Sequence, residues 1–135
     1  MYQLGTKSRN RLHGVHADLV AVVEKAITIT KQDFSVGEGL RSETRQRQLV
    51  NEGKSKTMNS RHLTGHAVDL LPYPFNGDMD KDGIPNIEDW DQYYPIADAM
   101  KLAAEELGVD LEWGGDWRGF PDGPHFQLSW EKYPK

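Results

Sequence analysis

Cysteine is absent from the 135 residues. That excludes a disulfide framework and any thiolate metal site, so a metal here must rest on histidine and carboxylates. No run of 18 or more apolar residues occurs, and no membrane insertion is expected. The opening residues, Met1-Tyr2-Gln3-Leu4-Gly5-Thr6-Lys7, lack the apolar core of a signal peptide. The chain is therefore expected to leave its cell by another route, to be released by lysis, or to stay inside. A basic stripe with interleaved aromatics is also missing, which removes nucleic acid from the expected partners.

What is present fits one modest folded unit. Apolar residues make up 37 % and charged residues 27 %, which supports a core and gives no sign of disorder. At this length a single domain over residues 1–135 is expected. The net charge is −5, yet it is unevenly spread. Many of the acids fall between Asp78 and Asp91, and the first 61 residues are basic, which suits a surface facing an anionic polymer.

Apolar spacing predicts the elements. Leu12, Val15, Leu19, Val22, Val23, Ala26 and Ile27 predict a helix over about 12–28. Phe34-Ser35-Val36 begins a strand that runs toward Leu40. Thr44 to Glu52 reads as a second helix stopped by Gly53, and Ala67 to Leu71 as a strand ended by Pro72 and Pro74. Ile96, Met100, Ala103, Ala104 and Leu107 mark a third helix closed by Gly108, with strands at Val109–Trp113 and His125–Leu128. The order predicts an α+β domain, a small, mostly antiparallel sheet flanked by helices.

The informative stretch is Ser60-Arg61-His62-Leu63-Thr64-Gly65-His66-Ala67-Val68-Asp69. Two histidines four apart suggest a helical H-E-x-x-H zinc site, but Leu63 stands where the glutamate should be and Gly65 weakens a helix. A loop geometry fits better. His62 lies before a turn at Gly65, and Asp69 arrives on the next strand. Inside an apolar strand its carboxylate needs a partner, which a metal supplies. Asp122-Gly123-Pro124-His125 offers a third ligand, and catalytic zinc wants three protein ligands with a carboxylate beside its water. His13, His16 and His66 read as ordinary surface or core histidines.

The pattern S-x-H-x-x-G-x-A-x-D followed by D-x-x-H resembles the zinc D-Ala-D-Ala carboxypeptidase and dipeptidase family, which includes phage L-alanyl-D-glutamate endopeptidases. Gly39-Leu40-Arg41-Ser42 and Glu112-Trp113-Gly114-Gly115-Asp116-Trp117 belong to the same resemblance. It implies a fold like the DD-peptidases and the hedgehog signalling domain. It also implies His62, Asp69 and His125 as zinc ligands, Asp122 as general base, and Arg41 as the residue that steadies the scissile carbonyl. Ser60 and Trp113 are expected at the substrate cleft. The expected activity is hydrolysis of a peptidoglycan stem-peptide bond, L-Ala-D-Glu first, by a monomeric endolysin without a separate wall-binding domain. Such an enzyme waits in the host cytoplasm until it is released to the wall. The alternatives are a D-Ala-D-Ala carboxypeptidase or dipeptidase, or a metal-binding module without catalysis.

A second motif lies in an inserted loop at 76–90. Asp78, Asp80 and Asp82 occupy positions one, three and five of a D-x-D-x-D-G calcium loop. The Ile84 carbonyl falls at position seven and Asp89 closes position twelve. Five acids in twelve residues, with Lys81 as the single base, repel one another unless a cation joins them. Calcium is therefore a second expected ion.

Overall fold

A computed structural model describes residues 1–55, 57–74, 91–119 and 121–134. The expected calcium residues Asp78, Asp80, Asp82, Ile84 and Asp89 lie outside the described residues. Among those described, no helix is long and apolar enough to cross a membrane.

Four strands form one antiparallel sheet: β1 (Phe34–Glu38), β2 (Ala67–Pro72), β3 (Leu111–Trp113) and β4 (His125–Leu128), in the order β1-β2-β4-β3. The helices are α1 (Thr6–Arg11), α2 (Ala17–Ile29), α3 (Glu43–Asn51) and α4 (Tyr93–Leu107). This is the expected α+β arrangement. Period-two alternation decides the two faces of the sheet. Val68 and Leu70 of β2, with Phe126 and Leu128 of β4, point into the core shared with α2 and α4. Asp69, His125 and Gln127 therefore point to the opposite face. That alternation makes one side of the sheet a core and the other a site.

The helix expected over 12–28 begins only at Ala17, because residues 12–16 form a turn that follows a separate short helix. α1 ends at Arg11, the chain turns through Gly14 at φ +84°, and α2 begins only after His16. His16 Nδ1 accepts the Asp18 N–H at 3.0 Å as the helix cap, while its own N–H donates to the Gly65 carbonyl at 2.7 Å. Leu12 and Val15 are buried in the turn, so the apolar spacing survives although the helix does not. Sequence periodicity reports burial, and the break is set by the tie to Gly65.

α1 also guards the sheet. β1 is an edge strand, and Val36 gives its N–H to Ser8 Oγ at 2.9 Å and accepts from Arg11 Nη1 at 2.9 Å. Both backbone groups that would recruit another strand are thereby occupied. At the other end of the chain, buried Arg61 donates to the carbonyls of Leu128, Ser129 and Tyr133, and Trp130 covers its guanidinium at 4.1 Å. The residues after β4 are tied in this way to the turn that carries the next histidine.

Candidate metal centre

His62 sits in a 3-10 turn over Arg61–Thr64. Ser60 Oγ accepts the His62 N–H at 3.2 Å, and Gly65 closes the turn at φ +75°. A Cβ on Gly65 would stand 2.2 Å from the Gly14 carbonyl oxygen, so only glycine fits there. The expected loop is thus a capped turn, with the imidazole buried beneath it.

Strand pairing brings the other two candidate ligands together. Asp69 of β2 lies directly opposite His125 of β4. His62 Nε2 is 3.2 Å from Asp69 Oδ1, and His125 Nδ1 is 3.4 Å from the same oxygen. One donor atom from each residue falls within 4.8 Å of the other two. Both rings are oriented from behind. His62 Nδ1 donates to the Gly39 carbonyl at 2.8 Å, and His125 Nε2 donates to Gln127 Oε1 at 2.8 Å. Those partners leave the inward nitrogens bare. Three acceptors then face one another with no donor between them, an arrangement that a cation relieves. The donor set of two imidazoles and one carboxylate suits a divalent ion such as zinc.

The electrostatics point the same way. Burial pushes the Asp69 carboxyl up, but in the metal-free chain protons shared with His125 and His62 outweigh it and hold the group well below the usual carboxylate range. Burial also works against a charged His125, yet the hydrogen bond and charge of Asp69 raise its affinity for a proton. A proton therefore competes with a metal for the same nitrogen.

Asp122 lines the same cleft, which has a volume of about 700 Å³. Burial raises its pKa first and the neighbouring Asp69 charge adds to that, against the pull of His125, His62 and Arg41. Its N–H donates to the Gly114 carbonyl at 2.9 Å, and its carbonyl accepts the His125 N–H at 3.2 Å. This turn rests directly on Gly114, where a Cβ would meet the Asp122 carbonyl oxygen at 2.5 Å and His125 Cβ at 3.0 Å. The Gly114 of the Trp-Gly-Gly-Asp stretch thus seats both the Asp122 carboxylate and His125.

Arg41 also lines the cleft, clamped by its neighbours. Nε and Nη2 donate to Glu38 Oε1, Nη1 donates to Gln46 Oε1 at 2.6 Å, and Nη2 lies 3.8 Å from Asp69 Oδ2. Gln46 is fully buried and is itself held by Ser55 and by the Thr57 carbonyl. Ser60 lies on the cleft wall as expected. Trp113 does not. It is buried in the core, stacked on Phe126, with its indole N–H on the Gly123 carbonyl at 2.7 Å. Core packing claims it because β3 turns that side chain toward the helices. Trp117 holds the wall instead, its ring 5.0 Å from His125.

Sequence reasoning passed over Glu38, Gln46 and Gln127, which support Arg41 and His125. A polar residue within an apolar strand is the available signal for Gln127. His66 lies apart from the centre, bonded to Thr64 Oγ1 and close to the His16 ring.

Residues 1–128 match a family model described as phage L-alanyl-D-glutamate peptidase. The chain is 29 % identical over 141 aligned residues to the L-alanyl-D-glutamate peptidase of Escherichia phage T5, covering 94 % of this chain and 98 % of that one. It is 36 % identical to the L-alanyl-D-glutamate peptidase of Listeria phage A118, over 71 % of this chain and 30 % of that protein. Among solved structures it resembles the Serratia marcescens L-Ala D-Glu endopeptidase ChiX, with 48 % identity and a TM-score of 0.83, covering 96 % of this chain and 92 % of that one.

Proposed function

The chain belongs to the phage L-alanyl-D-glutamate peptidase family, and from that premise we propose that it hydrolyses the L-Ala-D-Glu bond of peptidoglycan stem peptides as a zinc enzyme. The observation that carries this reading is the convergence of His62 Nε2, Asp69 and His125 Nδ1, each histidine with its other nitrogen engaged, in the cleft that Asp122 also lines.

A zinc ion held by the three would supply Lewis acidity, acidifying a water toward a pKa of about 7 and polarising the scissile carbonyl. The side chains do the rest. Asp122 takes a proton from the attacking water as its oxygen bonds to the alanine carbonyl carbon. When the C–N bond breaks, the same proton passes from Asp122 to the leaving glutamate nitrogen. Burial, which raises the pKa of Asp122 above the ordinary carboxylate value, suits a group that must both accept and return a proton. Arg41, fixed by Glu38 and Gln46, offers positive charge to the carbonyl oxygen as it becomes anionic. Ser60 and Trp117 line the path of the peptide.

We assign the activity to one domain spanning the chain, acting as a monomer on the wall once released from the host cytoplasm. The acidic stretch at 78–89 is assigned to calcium on its spacing alone. Mass spectrometry of muropeptides digested by the zinc-loaded protein tests the bond. New fragments beginning with D-Glu are expected; release of D-Ala alone would make it a carboxypeptidase, and an unchanged digest would leave a metal-binding module.

A further inference from the structure

Among the described residues, five cations line the cleft, and four have partners. Arg41 is clamped by Glu38 and Gln46, Arg45 donates to Gln48, Lys54 pairs with Glu52, and Arg61 is buried on three carbonyls. Arg118 lines the same cleft, is exposed, and makes no hydrogen bond or ion pair with any other described residue. It directly follows Trp117, whose ring lies against His125, and precedes Asp122 by four residues. Its guanidinium is therefore carried on the segment that leads into the general base.

The substrate chemistry asks for a cation at that end. In a stem peptide the glutamate continues through its γ-carboxyl, so its α-carboxylate stays free on the carbon that bears the scissile nitrogen. Asp122 returns its proton to that nitrogen and is left anionic close to the α-carboxylate. Asp69 adds a third negative charge, already felt by Asp122. A guanidinium fork matches a carboxylate in shape and charge.

We infer that Arg118 is a specificity-determining residue that binds the free α-carboxylate of the D-glutamate on the leaving side. The assignment rests on the peptidase reading above. The contact is made in both ground and transition states, so its loss should act on KM more than on kcat. Because Arg118 is exposed, the effect should be modest and weakened by salt.

The test uses the zinc-loaded full chain and two synthetic stem peptides, L-Ala-γ-D-Glu-diaminopimelate and the same peptide with the α-carboxylate amidated. The wild-type protein should prefer the free acid by up to about fivefold in KM. Arg118→Gln should remove that preference by raising KM for the free acid alone, with kcat and zinc content kept, and Arg118→Lys should restore part of it. The inference is overturned if Arg118→Gln keeps the wild-type preference, or if it lowers kcat equally for both peptides. Cleavage of neither peptide by the wild-type protein overturns the peptidase reading itself, and this assignment with it.

Discussion

His125 has two ring nitrogens with opposite tasks, and Gln127 two residues along the strand decides which is which. Its amide oxygen accepts from Nε2 at 2.8 Å and so keeps Nδ1 bare toward Asp69. Removing that acceptor frees the ring to protonate the wrong nitrogen. Gln127→Ala should therefore weaken zinc binding by about 10- to 100-fold, the usual cost of losing a partner behind a metal ligand. Chelator competition measures this, and an unchanged affinity would show that the ring is oriented by something else. The pH dependence follows from the same nitrogen. The proton affinity of His125 is raised in the metal-free chain, against its burial, by Asp69 and its neighbours. Below that raised pKa a metal must displace a proton, and above it none. Zinc affinity should consequently fall as pH drops and should level off on the alkaline side, the fall beginning above the ordinary imidazole value of about 6.5. Metal affinity titrated across pH would contradict this if the fall began below that value.

Among the elements, the turn from Asp122 to His125 matters most, because it carries both the proposed base and a proposed ligand. Its seat is Gly114, with no room for a methyl group against the Asp122 backbone. Gly114→Ala should displace Asp122 and His125 together, reducing both turnover and zinc content, and metal analysis beside kinetics would register it. Full retention of both would mean that the turn adapts. The acidic loop gives a second prediction at this scale. Calcium that binds only the folded chain should raise its melting temperature by mass action, and Asp80→Asn with Asp82→Asn should abolish the rise without changing zinc content. No calorimetric response up to millimolar Ca²⁺ would return the loop to a solvated turn. The helices show what spacing alone can deliver. α4 was readable from its apolar period, and Gly108 at φ +70° ends it as glycine usually does. The start of the first expected helix was not, because Leu12 and Val15 keep the period in a turn that the hydrogen bond from His16 to Gly65, distant in sequence, holds apart from α2.

Across the whole molecule, one sheet separates a core from a site, and this explains which site residues the sequence disclosed. His62, Asp69, Asp122 and His125 stood out because their spacing carries chemistry. Glu38, Gln46 and Gln127 did not, since a polar residue in an amphipathic segment looks like solvated surface until the fold turns it inward. Trp113 misled for the converse reason: its motif neighbours face the cleft while strand alternation sends it into the core. The division of labour between three ligands and one base is the claim on which the rest depends. Zinc per chain and turnover, measured together on the wild-type protein, His62→Ala, His125→Ala and Asp122→Ala, test it most directly. About one zinc is expected in the wild-type chain and little in either histidine variant. Asp122→Ala should keep its zinc while turnover falls by roughly 10²- to 10⁴-fold. Zinc retained by the histidine variants, or lost from Asp122→Ala, would contradict the account.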